Sequence, residues 1–252
     1  MIISISKRFL FIKGRKVAGT SVEVGLSRLC QDDDILTPIS PTDEAIRYQY
    51  TGLTAQNYGA APGEIDCYRR QIETLANRTT FELARIRKPR GLLRGHMSIK
   101  EIEQHMGPLS DNWTIIAITR NPYDQVLSRI KYSAARMGAD LPLNNQNPAF
   151  KSARSRFFER AARHKVDLNV HLYKDKDDTF RPNFILRYEA LEQDFEKLVN
   201  QLGHTTVVNL PHLKKIDMEQ NSQLGDLFSK SEIDIINHTF DEEFSLFEYV
   251  KL

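Results

Sequence analysis

A short glycine loop between an apolar strand and a helix constrains the fold of this chain more than any other feature. Residues 9–12 form a continuous apolar run, which is typical of a strand buried on both faces. Residues 14–19 have the G-x-x-x-x-G spacing of a phosphate loop, and apolar residues recur at helical spacing over residues 21–29. Such a turn presents backbone N–H groups to an anion, and the helix adds the positive end of its dipole. The sequence predicts an anion-binding loop here, with a simple turn bearing solvated basic side chains as the alternative.

The rest of the chain repeats this alternation of strand and helix. Thr114–Thr119 (TIIAIT) is the clearest buried strand, and Pro122 suits the first turn of the helix that follows it. Strands are predicted at residues 1–12, 92–95, 168–173 and 184–186, helices at residues 66–88, 99–105, 123–135, 152–165, 191–202 and 231–240, and irregular structure with one short helix at residues 31–64. This order is typical of an open, mainly parallel α/β sheet that binds ligands at the carboxyl ends of its strands. We expect a single domain over residues 1–252.

Composition narrows the classes of function. The chain has 252 residues with 35 basic and 33 acidic side chains, and its net charge of +2 is no signature of nucleic-acid binding. No apolar stretch approaches the roughly 20 residues of a membrane span, so we expect a cytoplasmic protein. Cys30 and Cys67 lie far apart and lack a metal-binding spacing. Any anion site must therefore be local, and the oligomeric state stays open.

A second candidate anion site follows the buried strand. Arg120 ends that strand, and Ser128 lies about two turns into the next helix. The arginine fork suits a phosphate group, whereas an ion pair with Asp124 and an ordinary helix serine are the alternatives. An ATP-binding loop would carry its lysine at the position of Thr20 and an acidic residue at a strand end. Because Lys16 lies inside the loop and Arg120 ends the strand, the sequence favours a metal-free anion site over a P-loop nucleotide kinase.

At these residues the chain resembles the sulfotransferases that use 3'-phosphoadenosine-5'-phosphosulfate (PAPS), especially the carbohydrate-type and Golgi-type branches and their bacterial relatives. Residues 16–21 (KVAGTS) are similar to the family's 5'-phosphosulfate loop, and residues 120–129 (RNPYDQVLSR) to its 3'-phosphate motif. Val17 departs from the family's usual threonine, so we expect the lost hydroxyl to lower cofactor affinity. Weaker likenesses lie at Gly95-His96 and at residues 186–191, 210–212 and 244–249.

The resemblance implies a P-loop-like, three-layer α/β/α fold with a mainly parallel central sheet. It also implies transfer of the sulfuryl group of PAPS to a hydroxyl or amine, with adenosine 3',5'-bisphosphate as the product. Lys16 would stabilise charge on the leaving oxygen. His96 would be the first choice of general base and Glu189 the second, with a capping or core histidine as the alternative for His96. The implied nucleotide-binding residues are Arg15, Lys16, Gly19, Thr20 and Ser21 on the 5' side, Arg120 and Ser128 on the 3' side, and Lys214 and Lys215 closing over the nucleotide.

The acceptor is expected to be a carbohydrate or glycan-like molecule. Arg156, Arg160 and Arg163 share one face of a predicted helix and would hold an anionic sugar chain beside the loop at residues 138–148. A solvated basic surface is the alternative both for these arginines and for Lys214 and Lys215. A protein of the same fold that binds a nucleotide or a sulfated ligand without catalysis is a further alternative.

Overall fold

The computed structural model describes residues 1–138, 144–204, 210–211 and 227–252. The chain divides into two compact units, of which the first comprises Met1–Ile118 and Leu172–Lys215 and the second Thr119–His171 and Ile216–Leu252. The single domain expected over residues 1–252 stays a prediction. No helix in the described ranges is long and apolar enough to cross a membrane.

A five-stranded sheet forms the centre of the first unit. Its order is β3-β1-β2-β4-β5. The strands are β1 (Ile2–Ser4), β2 (Phe9–Phe11), β3 (Ile35–Leu36), β4 (Thr114–Thr119) and β5 (Phe184–Arg187). The predicted α/β class is therefore confirmed, and the strand predicted from the TIIAIT run has the same bounds in the structure.

The sheet is mixed, and the predicted mainly parallel arrangement holds only at its centre. β2 and β4 are parallel, with Leu10 opposite Ile115. β1 is antiparallel both to β2 and to β3. Residues 1–12, predicted as one strand, instead form a hairpin that turns at residues 5–8. A connection this short can only join antiparallel strands, because a parallel pair needs a crossover of a dozen or more residues.

Helices make up most of the regular structure outside the sheet. In the first unit they are α1 (Gly19–Ser27), α2 (Pro41–Thr51), α3 (Pro62–Leu75), α4 (Thr80–Ala84), α5 (Ile99–Met106) and α8 (Leu191–Gln201). In the second unit they are α6 (Pro122–Arg136), α7 (Pro148–Ala162), α9 (Lys230–Thr239) and α10 (Asp241–Phe247). The predicted helices at residues 21–29, 99–105, 123–135, 191–202 and 231–240 are confirmed within a few residues.

The predicted long helix over residues 66–88 is wrong, because two helices share this segment. Thr79 accepts a hydrogen bond from the Glu82 amide while the Glu82 carboxylate bonds the Thr79 amide, and this capping box starts α4 anew. Residues 31–64 are also more regular than predicted. Ser40 caps α2 and Pro41 begins it, and β3 pairs with β1.

Two predicted strands are absent from the described structure. Residues 92–95 form no ladder, and Leu93 N–H makes a single backbone bond to the Tyr58 carbonyl (3.0 Å). Residues 168–173 contain a 3-10 helix, Val170–Tyr173, instead of a strand. The buried Glu243 carboxylate accepts hydrogen bonds from the Asn169 and Val170 amides at 2.9 and 3.2 Å. A tertiary contact therefore satisfies backbone groups that a neighbouring strand would otherwise have bonded.

The core of the first unit joins the sheet to α1 and α8. Its members include Phe9, Phe11 and Ile116 from the sheet, Val22 from α1 and Phe195 from α8. Burial of such apolar surface is the main term that stabilises a fold of this kind. The loop between β2 and α1 is anchored to this core.

The second unit is helical and has an aromatic core of its own. Tyr123, Phe150 and Phe240 are among its buried members. The Arg154 guanidinium pairs with the Glu232 carboxylate through two nitrogens and so ties α7 to α9. This unit is thus held together by one apolar cluster and a bidentate ion pair.

Candidate functional site

The loop between β2 and α1 has the backbone conformation of an anion-binding nest. Lys16 and Ala18 are in the left-handed region, with φ of 63° and 62°, while the residues around them have negative φ. Alternation of this kind turns successive N–H groups toward one point and forms a concavity that suits an anion. Within the described part of the chain, the loop amides without a hydrogen-bond acceptor are those of Gly14, Val17, Ala18, Gly19 and Thr20.

The start of α1 is open to a ligand. Its N-cap residue is Ala18, which has no side chain to bond the first amides, whereas helices usually begin at Ser, Thr, Asp or Asn. The Ala18 carbonyl accepts the Ser21 amide at 3.0 Å, and the amides of Gly19 and Thr20 have no acceptor in the described part of the chain. An anion bound there would satisfy these groups and face the positive end of the helix dipole.

The side chains of the loop divide between solvent and core. Arg15 is exposed, Lys16 and Thr20 are half-buried, and Ser21 is 6% exposed. Val17 is fully buried in the apolar core. The expected effect of Val17 on cofactor affinity stays a prediction, but the structure does not support it, because the side chain at this position lies in the core.

Lys13 reaches under the loop into the protein interior. Its Nζ atom lies 2.6 Å from the Glu23 carboxylate on α1, and Glu23 is fully buried. A Cβ atom at Gly19 would lie 2.9 Å from Lys13 Cγ and 3.3 Å from the Gly14 carbonyl oxygen. Gly19 is thus needed here because the Lys13 side chain passes directly beside its backbone.

Glu23 is the centre of a buried ionic cluster. Besides Lys13, its carboxylate contacts the Met1 amino group at 2.6 Å and the Arg47 guanidinium at 3.1 Å, and Arg47 also pairs with Glu44 at 2.9 Å. Burial alone would raise the pKa of Glu23, but the adjoining cations outweigh burial and hold that pKa well below its usual range. The cluster ties β1, α1 and α2 together beneath the loop.

The structure brings His96 to the start of the same loop. Its Nδ1 atom lies 2.7 Å from the Lys13 carbonyl oxygen. A carbonyl can only accept, so Nδ1 must carry the proton and Nε2 must hold the free electron pair. Among the described residues, no hydrogen-bond partner contacts Nε2. His96 also has a φ of 63°, a strained conformation of the kind found at functional sites.

His96 is neutral near pH 7. Burial, together with the positive charge of the nearby Lys13, lowers the pKa of His96 to about 4. The neutral ring can accept a proton at Nε2, although a low pKa makes it a weaker base. An anion bound in the loop would favour the protonated ring and so raise this pKa.

The remaining predicted catalytic and nucleotide-binding residues lie elsewhere in the chain. Glu189 is exposed in a short 3-10 helix, Tyr188–Ala190, that follows β5 in the first unit. In the second unit, Arg120 is 9% exposed and follows β4 directly, and Ser128 is half-buried on α6. Lys214 and Lys215 lie outside the described residues. Their proposed roles stay predictions.

The three arginines predicted to bind the acceptor have unequal surroundings. Arg160 donates to the Lys165 carbonyl from Nη2 at 2.7 Å and from Nε at 3.2 Å, so it closes the carboxyl end of α7. Arg163 is the C-cap of that helix, and Arg156 is exposed with Nη1 3.8 Å from the Met137 sulfur. The loop predicted at residues 138–148 lies partly outside the described residues.

Sequence reasoning missed Lys13, Glu23 and Arg47 as parts of the site's support. Glu23 sits between two valines in a helix with little apolar periodicity, so nothing in the local pattern indicates a buried carboxylate. The only available signal was Lys13 itself, a cation placed directly after an apolar strand.

Comparisons with family models, with curated proteins and with solved structures found no match for this chain. In the described ranges, no group of three or more His, Cys, Asp or Glu side chains is arranged to hold a metal ion. The candidate site is therefore defined by the nest at residues 14–20, the open end of α1 and the Nε2 atom of His96.

Proposed function

We propose that the chain is a sulfotransferase that moves the sulfuryl group of PAPS to a hydroxyl or amine of an acceptor. The observation that carries the proposal is the nest of unbonded loop amides, which has Lys16 in the same loop and the His96 ring bonded to the Lys13 carbonyl just before it. An anion site alone would suit many ligands. The addition of a lysine within the loop and of a neutral histidine with a free Nε2 favours group transfer to a protonated nucleophile.

The loop residues would bind the 5'-phosphosulfate. Backbone N–H groups of residues 17–20 and the dipole of α1 would contact its oxygens, and Arg15, Thr20 and Ser21 would add side-chain donors. Lys16 would stabilise the negative charge that grows on the bridging oxygen in the transition state. Fixed donors of this kind often contribute the largest single catalytic effect.

His96 would act as the general base. The acceptor oxygen bonds to sulfur while the bond from sulfur to the bridging oxygen breaks, and that electron pair stays on the bridging oxygen of adenosine 3',5'-bisphosphate. The acceptor proton passes to Nε2 of His96. The Lys13 carbonyl holds the Nδ1 proton and stabilises the imidazolium that forms. Glu189 is the second choice of base.

The resemblance to the family supplies the other assignments. Arg120 and Ser128 would bind the 3'-phosphate, and the fold would be P-loop-like with three layers. A carbohydrate is the proposed acceptor. The free thiols Cys30 and Cys67 favour a reducing compartment, and we propose a cytoplasmic location on that ground.

Nucleotide binding tests the proposal first. Titration calorimetry should show adenosine 3',5'-bisphosphate binding without added metal and no comparable binding of ATP with Mg²⁺. Arg15→Gln should weaken that binding about tenfold, since one charge-assisted hydrogen bond is worth about 1.5 kcal/mol. Lys100→Gln is the matched control, because Lys100 is exposed on α5 and away from the loop in sequence. Binding of ATP with Mg²⁺ in preference to the bisphosphate would favour a nucleotide kinase.

Turnover separates an enzyme from a binding protein. We expect transfer of labelled sulfate from PAPS to a carbohydrate acceptor, and loss of at least about a hundredfold in kcat for Lys16→Met with nucleotide binding retained. His96→Asn is the sharper variant. Asparagine tolerates the left-handed conformation and keeps an N–H for the Lys13 carbonyl, but it has no base at the Nε2 position. Unchanged kcat in His96→Asn would refute the role of His96, and no transfer by the wild type to any acceptor in a broad panel would favour the binding protein.

A further inference from the structure

Five basic residues cluster in the segment of residues 85–94, which we call the basic segment. Its cations are Arg85, Arg87, Lys88, Arg90 and Arg94, and all of them are exposed. No acidic residue occurs between Glu82 and Glu101. Because the whole chain has a net charge of only +2, this segment is a strong local concentration of positive charge, and such short runs commonly bind polyanions.

Three of these cations have no acidic partner. Arg94 pairs with Glu101 at 2.6 Å, and the Arg85 guanidinium lies 4.3 Å above the Phe81 ring. In the described ranges no carboxylate lies within ion-pair distance of Arg87, Lys88 or Arg90. These three side chains are available to an anionic ligand.

The backbone of the basic segment is seated on the protein. Gly91 packs so closely that a Cβ atom there would lie 2.4 Å from the Tyr58 carbonyl oxygen and 2.9 Å from the Ala60 nitrogen. Leu93 is buried, and its amide donates to the Tyr58 carbonyl. The backbone that directly follows Arg90 is therefore fixed to the protein, which lowers the entropy lost when a ligand binds there.

The basic segment runs directly to the candidate base. Only Gly95 separates Arg94 from His96, and the His96 ring contacts the loop through the Lys13 carbonyl. Arg90 and His96 are six residues apart, so their Cα atoms are at most about 20 Å apart. A linear molecule that lies along the segment therefore needs to extend no more than about 20 Å from Arg90 to bring a hydroxyl near His96.

We propose that the basic segment binds a linear acidic polysaccharide whose hydroxyl groups are the acceptors of the reaction. Its role as an acceptor surface rests on the proposed function, whereas the binding itself does not. Nucleic acid is less favoured, because single-strand sites add aromatic rings for base stacking and residues 83–100 contain no Phe, Tyr or Trp. In this proposal the acceptor binds to the basic segment, which leads to His96, and not to Arg156, Arg160 and Arg163 as the sequence predicted.

Binding of hyaluronan oligosaccharides to the full chain, measured by calorimetry at low salt, tests the inference. Hyaluronan carries carboxylates and no sulfate, and neutral dextran of equal length and single-stranded DNA of equal charge serve as comparisons. The triple variant Arg87→Gln, Lys88→Gln, Arg90→Gln should weaken hyaluronan binding at least tenfold. The matched control, Arg156→Gln, Arg160→Gln, Arg163→Gln, removes the same charge and should change it less than twofold.

The outcomes separate this inference from the proposed function. Loss of hyaluronan binding in the triple variant, with adenosine 3',5'-bisphosphate binding unchanged, supports the basic segment as a polyanion surface even if no sulfate is transferred. Equal binding by the triple variant and the wild type overturns it, as does tighter binding of DNA than of hyaluronan. Loss of hyaluronan binding only in the control variant would favour the arginines of residues 156–163 as the acceptor surface.

Discussion

The buried cluster around Glu23 allows a sharp test of how the loop is supported. Glu23→Gln keeps the size of the side chain but removes the charge that contacts Lys13, Arg47 and the Met1 amino group. All of these groups are at most 10% exposed, so water cannot replace the lost carboxylate. Breaking a buried ion pair from one side costs about 3 to 5 kcal/mol, because the remaining charge is left buried.

Urea unfolding measures this cost. Trp113 is the only tryptophan and lies in the first unit beside β4, so its fluorescence reports on the unit that contains Glu23. With a slope of about 2 kcal/mol per molar urea, the unfolding midpoint of Glu23→Gln should fall by about 2 M. Glu73→Gln is the control, since it breaks an exposed ion pair with Arg69 and should cost less than about 1 kcal/mol.

The pH dependence of the unfolding free energy gives a second test of the same variant. Because the folded protein holds the pKa of Glu23 low, the stability that Glu23 contributes is present above the unfolded pKa and is lost as pH falls through the folded one. The difference between wild type and Glu23→Gln should therefore shrink in acid. A loss below about 1 kcal/mol at pH 7, equal to that of the surface control, would refute the account of a strongly coupled buried cluster.

Three further predictions follow from single positions in the loop and at His96. The pKa of His96 is about 4 in the folded protein and 6.5 in the unfolded chain. The free energy of unfolding should therefore rise by about 2 kcal/mol between pH 4 and pH 6.5, a value reduced to allow for the partial exposure of the ring. Urea unfolding of His96→Asn should show no such rise. Val17→Thr should lower stability by about 1 to 3 kcal/mol, because its hydroxyl would be buried without a partner, yet leave bisphosphate affinity unchanged in calorimetry; tighter binding would contradict the buried position. Gly19→Ala should cost about 1 to 3 kcal/mol in urea unfolding through contact with the Lys13 side chain, and a neutral result would show that Lys13 moves freely.

Regular local patterns made several elements predictable from the sequence. The TIIAIT run predicts β4 because a buried strand needs only a short apolar stretch with β-branched residues. α6 is also confirmed, since Pro122 and the apolar periodicity mark its start and length. The position of the glycine loop between β2 and α1 follows from the same kind of local signal.

Tertiary contacts decided the elements that were predicted wrongly. Residues 92–95 resemble a strand in composition. Gly91 instead packs against Tyr58, and the Leu93 amide donates to the Tyr58 carbonyl and not to a neighbouring strand. Residues 168–173 (LNVHLY) alternate apolar and polar side chains as a strand would, but there the Glu243 carboxylate accepts hydrogen bonds from two backbone amides. In both places a partner distant in sequence satisfies the backbone, and local propensity cannot report such a partner.

The candidate site shows the same division. The sequence by itself shows the glycine spacing, the lysine inside the loop and the histidine after Gly95. These features were enough to predict an anion site. Only the tertiary structure decided that Val17 faces the core, that Lys13 is held by Glu23, and that the Lys13 carbonyl leaves the Nε2 atom of His96 free. The physical reason is that orientation and protonation depend on neighbours brought together by folding, 83 residues apart in the case of Lys13 and His96.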